Sequence, residues 1–278
     1  MAAKILDGRE LAKTMRAEIA QAVADLKARS GVVPSLAVVR AGDDPASVSY
    51  AGAIAKAFAA AGMSFNLHEL PESAAQETIV ELVARLSADP QVHGIMVQEP
   101  LPGEVDAAAV VAALAPVKDV DGVHPENAGR LLQDVGDYYV PATPAGGMEL
   151  LRRNGVSFKG ARAVIVGRSN IVGKPMACLL LHQHATVTIC HSRTVDLGAV
   201  TRTADILVAA VGKARLVTGD MVKPGAVVVD FGVNFLDGVM VGDVDFEAAS
   251  AVAGGTGPMT NVMLMQNTLR AATRQSER

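Results

Sequence analysis

Apolar residues recur at helical spacing over residues 7–27, where Leu11, Met15, Ile19, Val23 and Leu26 share one face. The run Ser35-Leu-Ala-Val-Val-Arg40 then predicts a short buried strand, closed by the turn Gly42-Asp-Asp-Pro45. Residues 47–61 predict a helix ended by Gly62, residues 64–70 a strand, 75–87 a helix and 94–97 a strand. Strands alternating with helices in this way need crossover connections, and crossovers give a parallel sheet.

The middle of the chain breaks this rhythm. Pro100-Leu-Pro102, Lys118-Asp-Val-Asp-Gly122 and His124-Pro125 read as turn and boundary signals, and Tyr139-Val-Pro141-Ala-Thr-Pro144 as a linker. The alternation then restarts. Strands are predicted over 161–166, 186–190, 206–211 and 226–231, helices over 175–182 and 195–203, and a terminal helix over 260–274. No internal repeat or low-complexity tract is present. The expected fold class is α/β, in two lobes joined near residue 142.

Composition narrows the function. Half of the residues are apolar and only 3% aromatic, so the cores are built from Ala, Val, Leu and Ile. The net charge is −4 and no Lys/Arg-rich run occurs, which argues against nucleic acid as a partner. No apolar run approaches the ~18 residues of a membrane span, and the N-terminus lacks an apolar signal centre. A cytoplasmic protein without membrane attachment is expected. Cys178 and Cys190 lack the spacing of a zinc site or a disulfide framework and read as buried reduced thiols. His93, His124, His182 and His184 show no metal-ligand spacing, so no metal is expected.

The chemistry enters at residue 167. Ala163-Val-Ile-Val166 runs into Gly167-Arg168-Ser169-Asn170-Ile171-Val172-Gly173, and a helix opens near Pro175. A glycine-rich turn between strand and helix lets backbone amides and the positive helix end face a phosphate. Ser169 stands where the dinucleotide fingerprint has its second glycine; its hydroxyl is small enough for close approach and adds a donor. The next strand delivers His191-Ser192-Arg193-Thr194. An acidic residue there would hold a ribose 2′-hydroxyl, whereas this cationic, hydroxylated tip suits a 2′-phosphate. NADP is therefore expected, with Gly167, Arg168, Ser169, Gly173, Ser192, Arg193 and Thr194 as its contacts.

Taken together, the motifs resemble the methylenetetrahydrofolate dehydrogenase/cyclohydrolase family over nearly the whole chain. The matching pieces are Gly42-Asp-Asp-Pro-Ala-Ser47 with Tyr50, Gly94-Ile-Met-Val-Gln98 with Pro100-Leu-Pro102, Lys118-Asp-Val-Asp-Gly122 and Thr143-Pro144. They continue through 167–175, Cys190-His-Ser-Arg-Thr194, Val211-Gly-Lys213, Gly242-Asp-Val244 and Gly254-Gly-Thr-Gly-Pro-Met-Thr260. The resemblance implies a folate-binding catalytic domain over 1–142 plus 259–278, a Rossmann-type NADP-binding domain over 143–258, a folate cleft between the lobes, and a homodimer. It also implies that the last helix returns to the first lobe. The substrate implied is a tetrahydrofolate one-carbon adduct, contacted by Tyr50, Val97, Gln98, Asp121, Gly257 and Pro258. Ile171 and Val233 join the implied cofactor contacts.

Three departures from the family pattern bear on activity. The place of the family's catalytic lysine, four residues after Tyr50, is Ile54 here. Lys56 lies about 200° further around a helix of 3.6 residues per turn and is kept as a candidate beside the catalytic Tyr50, Gln98 and Asp121. Glu99 replaces the usual leucine beside Gln98, and Ala251-Val-Ala253-Gly254-Gly255 replaces Pro-Val-Pro-Gly-Gly. Oxidation of the bridging methylene carbon needs positioning rather than a protein base, whereas hydrolysis of the resulting cation needs proton movement. Dehydrogenase activity is expected, with cyclohydrolase activity weak or absent. A folate- or NADP-binding relative without turnover, and a dehydrogenase for a different pterin adduct, stay open as alternatives because of Ile54 and Glu99.

Overall fold

The computed structural model describes residues 5–245, 253–254 and 256–277. The chain runs β1 (Leu6–Asp7), α1 (Gly8–Ser30), β2 (Ser35–Ala41), α2 (Pro45–Ala60), β3 (Ser64–Leu70), α3 (Gln76–Ala88) and β4 (Gly94–Val97). Helices α4 (Ala107–Ala112), α5 (Pro125–Gln133) and α6 (Ala142–Arg153) follow. Next come β5 (Arg162–Val166), α7 (Gly173–His182), β6 (Thr186–Cys190), α8 (Leu197–Thr201), β7 (Ile206–Ala209) and β8 (Val227–Asp230). Strands β9 (Asn234–Leu236), β10 (Val239–Val241) and β11 (Ala253–Gly254) precede the long α9 (Thr256–Ser276).

Two compact units emerge. One comprises Lys13–Arg130, Gly136–Ala142 and Asn261–Arg278; the other comprises Met1–Ala12, Leu131–Val135 and Thr143–Thr260.

The first unit is organised around β2, which pairs in parallel with β3 on one side and β4 on the other. Every residue of β2 is buried, as its unbroken apolar run requires of a central parallel strand covered on both faces. Helix α3 buries Ile79, Leu82, Val83 and Leu86, a stripe at i, i+3, i+4 and i+7, in one core with Ala37, Val39 and Ile95. Full burial of each such side chain contributes about 1.5–3 kcal/mol. Pro45 opens α2, and the Asp44 carboxylate caps it by accepting from the Ser47 amide at 2.9 Å. The C-terminal helix belongs here from Asn261 onward. Its Asn267 donates to the Val120 carbonyl at 2.8 Å and the Val140 carbonyl at 3.1 Å, and Gln275 donates to the His93 carbonyl at 3.0 Å.

The second unit holds a parallel sheet in the order β6-β5-β7-β8. The two-residue period of a strand sorts its side chains between two cores. Ala163, Ile165, Ile206, Val208 and Val229 join one, while Val164, Val166, Leu207, Ala209 and Val228 join the other. Strand β6 forms an edge, which explains its exposed Thr186, Thr188 and Ile189. Both cysteines are free, but only Cys190 is buried; Cys178 is half-buried on α7, which corrects the reading of two buried thiols.

Several elements depart from the sequence reading. The segment read as a linker turns helical at Ala142. Pro144 falls in the first turn, where its missing N–H costs nothing, and the two glycines that follow permit close packing. A Cβ at Gly147 would stand 2.4 Å from the Phe231 ring, and one at Gly146 would stand 2.9 Å from Met259 Cβ. The helix expected over 195–203 is shorter, because Asp196 caps it at the Ala199 amide, 3.0 Å away. The hairpin β9–β10 was not anticipated, although Asp237-Gly238 between apolar residues is its signal. Both take positive φ, +51° and +78°, as a two-residue primed turn demands. Of the altered loop, Ala251, Val252 and Gly255 lie outside the described residues, while Ala253–Gly254 pairs in parallel with Leu6–Asp7.

Candidate active site

The motif Lys118-Asp-Val-Asp-Gly122 divides its labour. Lys118 is buried, and its ammonium donates to the Leu86 and Asp89 carbonyls at 3.3 and 2.5 Å, satisfying the C-terminal end of α3. Asp119 is fully buried and accepts from the Val123 amide, the His124 amide and the Asn127 side chain at 3.0, 2.8 and 2.7 Å. Gly122 takes φ +68° against Val140 and Pro141, leaving no room for a Cβ. These residues build the turn. Asp121 is the carboxylate that the turn presents, half-buried and without such partners among the hydrogen bonds above.

The electrostatics of this group follow from desolvation. Burial pushes the Asp121 carboxyl up to about 7, with the negative charges of Asp119 and Glu99 adding to the effect. Burial, and secondarily Asp121, holds the Tyr50 phenol above its usual range, so Tyr50 stays a neutral hydroxyl donor. Gln98, at the end of β4, is 3% exposed. Its amide nitrogen donates to the Ser47 carbonyl at 3.1 Å, while Oε1 is buried with no hydrogen-bond partner. The Ser47 hydroxyl in turn donates to the Glu99 carbonyl at 2.9 Å. Helix α2 carries Tyr50 half-buried, and it sets Ser47, Ala51, Ile54 and Phe58 on its buried face. Tyr50, Gln98, Glu99 and Asp121 are thus brought together in one unit. Lys56 is exposed on α2, and Val97 is half-buried in β4. Gly257 and Pro258 open α9 and belong to the other unit.

The glycine turn after β5 is as tight as its sequence requires. Gly167 has φ +132°, and a Cβ there would stand 2.2 Å from the Ala210 carbonyl oxygen; one at Gly173 would stand 2.3 Å from the Gly167 carbonyl oxygen. The Ser169 hydroxyl accepts from the Val172 and Gly173 amides at 3.2 and 3.3 Å. It therefore acts first as an acceptor at the N-terminus of α7, not only as the extra donor expected. Arg168, Ser169 and Ile171 are exposed on this turn. At the tip after β6, Thr194 Oγ1 accepts from the His191 amide at 2.8 Å, which folds the turn and leaves Ser192 and Arg193 exposed. Val233 is exposed just before β9.

Both halves of the chain match one family. Its NAD(P)-binding domain matches residues 141–276 and its catalytic domain residues 6–121. The chain belongs to the tetrahydrofolate dehydrogenase/cyclohydrolase family. It is 55% identical over 283 residues to the bifunctional protein FolD of Roseiflexus sp. (strain RS-1), covering 99% of this chain and 98% of that one. The bifunctional FolD dehydrogenase/cyclohydrolase of Campylobacter jejuni superposes with a TM-score of 0.95 at 41% identity, over 98% of this chain and 99% of that one. The Trypanosoma brucei FolD, complexed with NADP cofactor and inhibitor, gives 0.93 at 37% identity, over 99% and 98%.

In this tetrahydrofolate dehydrogenase/cyclohydrolase chain, two features escaped the sequence reading. The first is the orphaned Gln98 Oε1. Its signal in the sequence was Ile54, an apolar residue where the resemblance places a lysine. The second is Asp243, fully buried behind β7, which a buried acidic residue in Gly242-Asp-Val244 could have flagged. Among the described residues no helix is long and apolar enough to cross a membrane.

Proposed function

We propose that this chain oxidises 5,10-methylenetetrahydrofolate to 5,10-methenyltetrahydrofolate with NADP, and that it hydrolyses the product to 10-formyltetrahydrofolate weakly or not at all. In this reading residues 1–142 with 259–278 bind the folate, 143–258 bind NADP, and the active form is a homodimer. NADP, when bound, would supply the acceptor for a hydride from the bridging methylene carbon.

The chain's own residues position and tolerate charge. Asp121 accepts from the pterin ring and amino hydrogens, which requires its ionised form. Tyr50 packs on the folate as a neutral phenol, with Val97, Gly257 and Pro258 as further contacts. Gln98 stands at the one-carbon centre, its Oε1 the negative end of a fixed dipole suited to a developing amidinium cation. The Gly167–Gly173 turn, with Arg168, Ser169 and Ile171, would hold the phosphates; Ser192, Arg193 and Thr194 would hold the 2′-phosphate; Val233 would be a further contact.

The observation that carries the reading is the constellation Tyr50, Gln98 and Asp121 around a buried face of α2 that offers Ile54. An isoleucine cannot transfer a proton or stabilise an oxyanion, so the oxidation survives and the hydrolysis does not. The test is reduced-nicotinamide absorbance on adding methylenetetrahydrofolate with NADP and, separately, with NAD. A rise with NADP well above that with NAD supports the reading, and no rise with either overturns it.

A further inference from the structure

The sheet order β6-β5-β7-β8 makes a switch point between β5 and β7, because the chain moves outward to β6 and then returns to the opposite side of β5. In open α/β sheets ligands bind outside the carboxyl ends of the strands at that point. Two loops meet there. One is the Gly167 turn after β5; the other follows β7 and begins at Ala210, whose amide donates to the Val166 carbonyl at 2.8 Å and whose carbonyl presses on Gly167.

The start of the second loop is held by a side chain. Three successive amides, those of Val211, Gly212 and Lys213, donate to the Asp243 carboxylate at 2.7, 3.0 and 2.7 Å. Gly212 takes φ +64°, so the three N–H groups form a concave anion nest. Such a nest commonly cradles a phosphate, but here an internal carboxylate fills it. The same carboxylate accepts from the Asn234 side chain at 3.0 Å, fixing the start of β9 next to Val233. Four donors saturate its acceptor sites. Asp243 has no solvent exposure, and its own amide donates to Asp230 at 3.1 Å, while Asp230 also accepts from the Gly232 and Val244 amides. A Cβ at Gly232 would stand 2.3 Å from this carboxylate.

We infer that Asp243 is a positioning residue for the cofactor: by filling the 211–213 nest and holding Asn234, it fixes the β7 loop and the Val233 segment as two walls of the NADP site. The inference rests on the cofactor reading above and goes beyond it by naming what sets the site's shape. It also leaves the Gly167–Gly173 turn, and not the occupied 211–213 nest, to take the phosphates that bridge the two nucleosides.

The test titrates the whole protein with NADPH and follows nicotinamide fluorescence; the chain has no tryptophan to obscure it. Asp243→Asn replaces one acceptor oxygen with an amide group that cannot accept from the loop. The expected result is at least a tenfold rise in the NADPH dissociation constant, with folate KM within twofold of wild type. Asn234→Ala, which removes one donor and spares the carboxylate, is expected to raise it about threefold and keeps the test open should Asp243→Asn fail to fold. Val228→Ala, a buried change in β8 of the same unit, controls for lost stability and is expected to leave NADPH affinity unchanged. An Asp243→Asn protein binding NADPH like wild type overturns the inference. So does a Val228→Ala protein that loses NADPH affinity to the same extent as Asp243→Asn. A wild-type protein that does not bind NADPH overturns the cofactor reading itself.

Discussion

Gly173 lies against the backbone of Gly167, so close that a Cβ at 173 would stand 2.3 Å from the Gly167 carbonyl oxygen and 2.9 Å from the Arg168 nitrogen. Both neighbours are backbone atoms, so the turn itself must open to admit a methyl group. Gly173→Ala is therefore expected to weaken NADP binding at least tenfold while folate KM changes little. Calorimetry with each ligand checks this; an alanine variant with wild-type NADP affinity would show that the turn does not shape the site.

In the proposed function the exposed cationic tip carries the cofactor preference. Arg193→Ala removes a charge-assisted contact to the 2′-phosphate, expected to be worth about 1.5–3 kcal/mol on NADP and little on NAD. Arg168→Ala is expected to act in the same direction. The ratio of kcat/KM for the two cofactors measures the effect, and unchanged preference in both variants refutes the assignment.

Asp121 predicts two pH dependences. Its carboxyl is pushed up to about 7 by burial and by Asp119 and Glu99, and in the proposed function it must ionise to accept from the pterin. Folate affinity is then expected to fall about tenfold per pH unit below 7, with NADP affinity nearly flat. The stability effect has a definite sign. A carboxyl whose folded pKa exceeds its unfolded value contributes stability that is fully present below about 4 and is lost as pH rises through about 7. Relative to Asp121→Asn, the wild-type melting temperature is expected to decline across that window and level off above it. Asp121→Asn itself is expected to lose folate affinity and keep NADP affinity; equal loss of both would mark a structural role.

Where the chain is buried on both faces, its architecture was legible. Strand β4 begins and ends where its hydrophobic run does, because a covered parallel strand must be apolar throughout, and the edge strands β3 and β6 also span the predicted 64–70 and 186–190. One misreading has a plain cause: Pro punctuates sequence but also opens helices. The segment ending at Pro144 reads as a linker yet opens α6, which packs its next two glycines against the Phe231 ring and Met259, both remote in sequence. Of the site, the turn at 167–173 was legible from local spacing. The split of Lys118-Asp-Val-Asp-Gly122 into a helix-capping lysine, a buried Asp119 and a presented Asp121 was not, because it depends on Asn127, Val123 and the end of α3. Asp243 was silent for the same reason: its partners lie 30 to 32 and 9 residues away.

Ile54 offers the sharpest substitution. It is fully buried on the α2 face that carries Ser47, to whose carbonyl Gln98 is tied, and Gln98 Oε1 lacks a donor. Ile54→Lys is expected to raise cyclohydrolase activity, up to the ~10²-fold lower range of general acid–base groups. Burial will lower the new ammonium's pKa, so the gain is expected to be partial and accompanied by a lower melting temperature. Decay of methenyltetrahydrofolate absorbance, at equal enzyme concentration, compares variant with wild type.

Oxidation without hydrolysis, the core of the proposed function, shows when both products are followed in one cuvette. Wild-type enzyme is given methylenetetrahydrofolate and NADP while reduced nicotinamide and methenyltetrahydrofolate are monitored together. The two are expected to accumulate one to one, after which the methenyl signal decays at the buffer rate whatever the enzyme concentration. Methenyltetrahydrofolate that fails to accumulate, or that decays in proportion to enzyme, would contradict the proposed function.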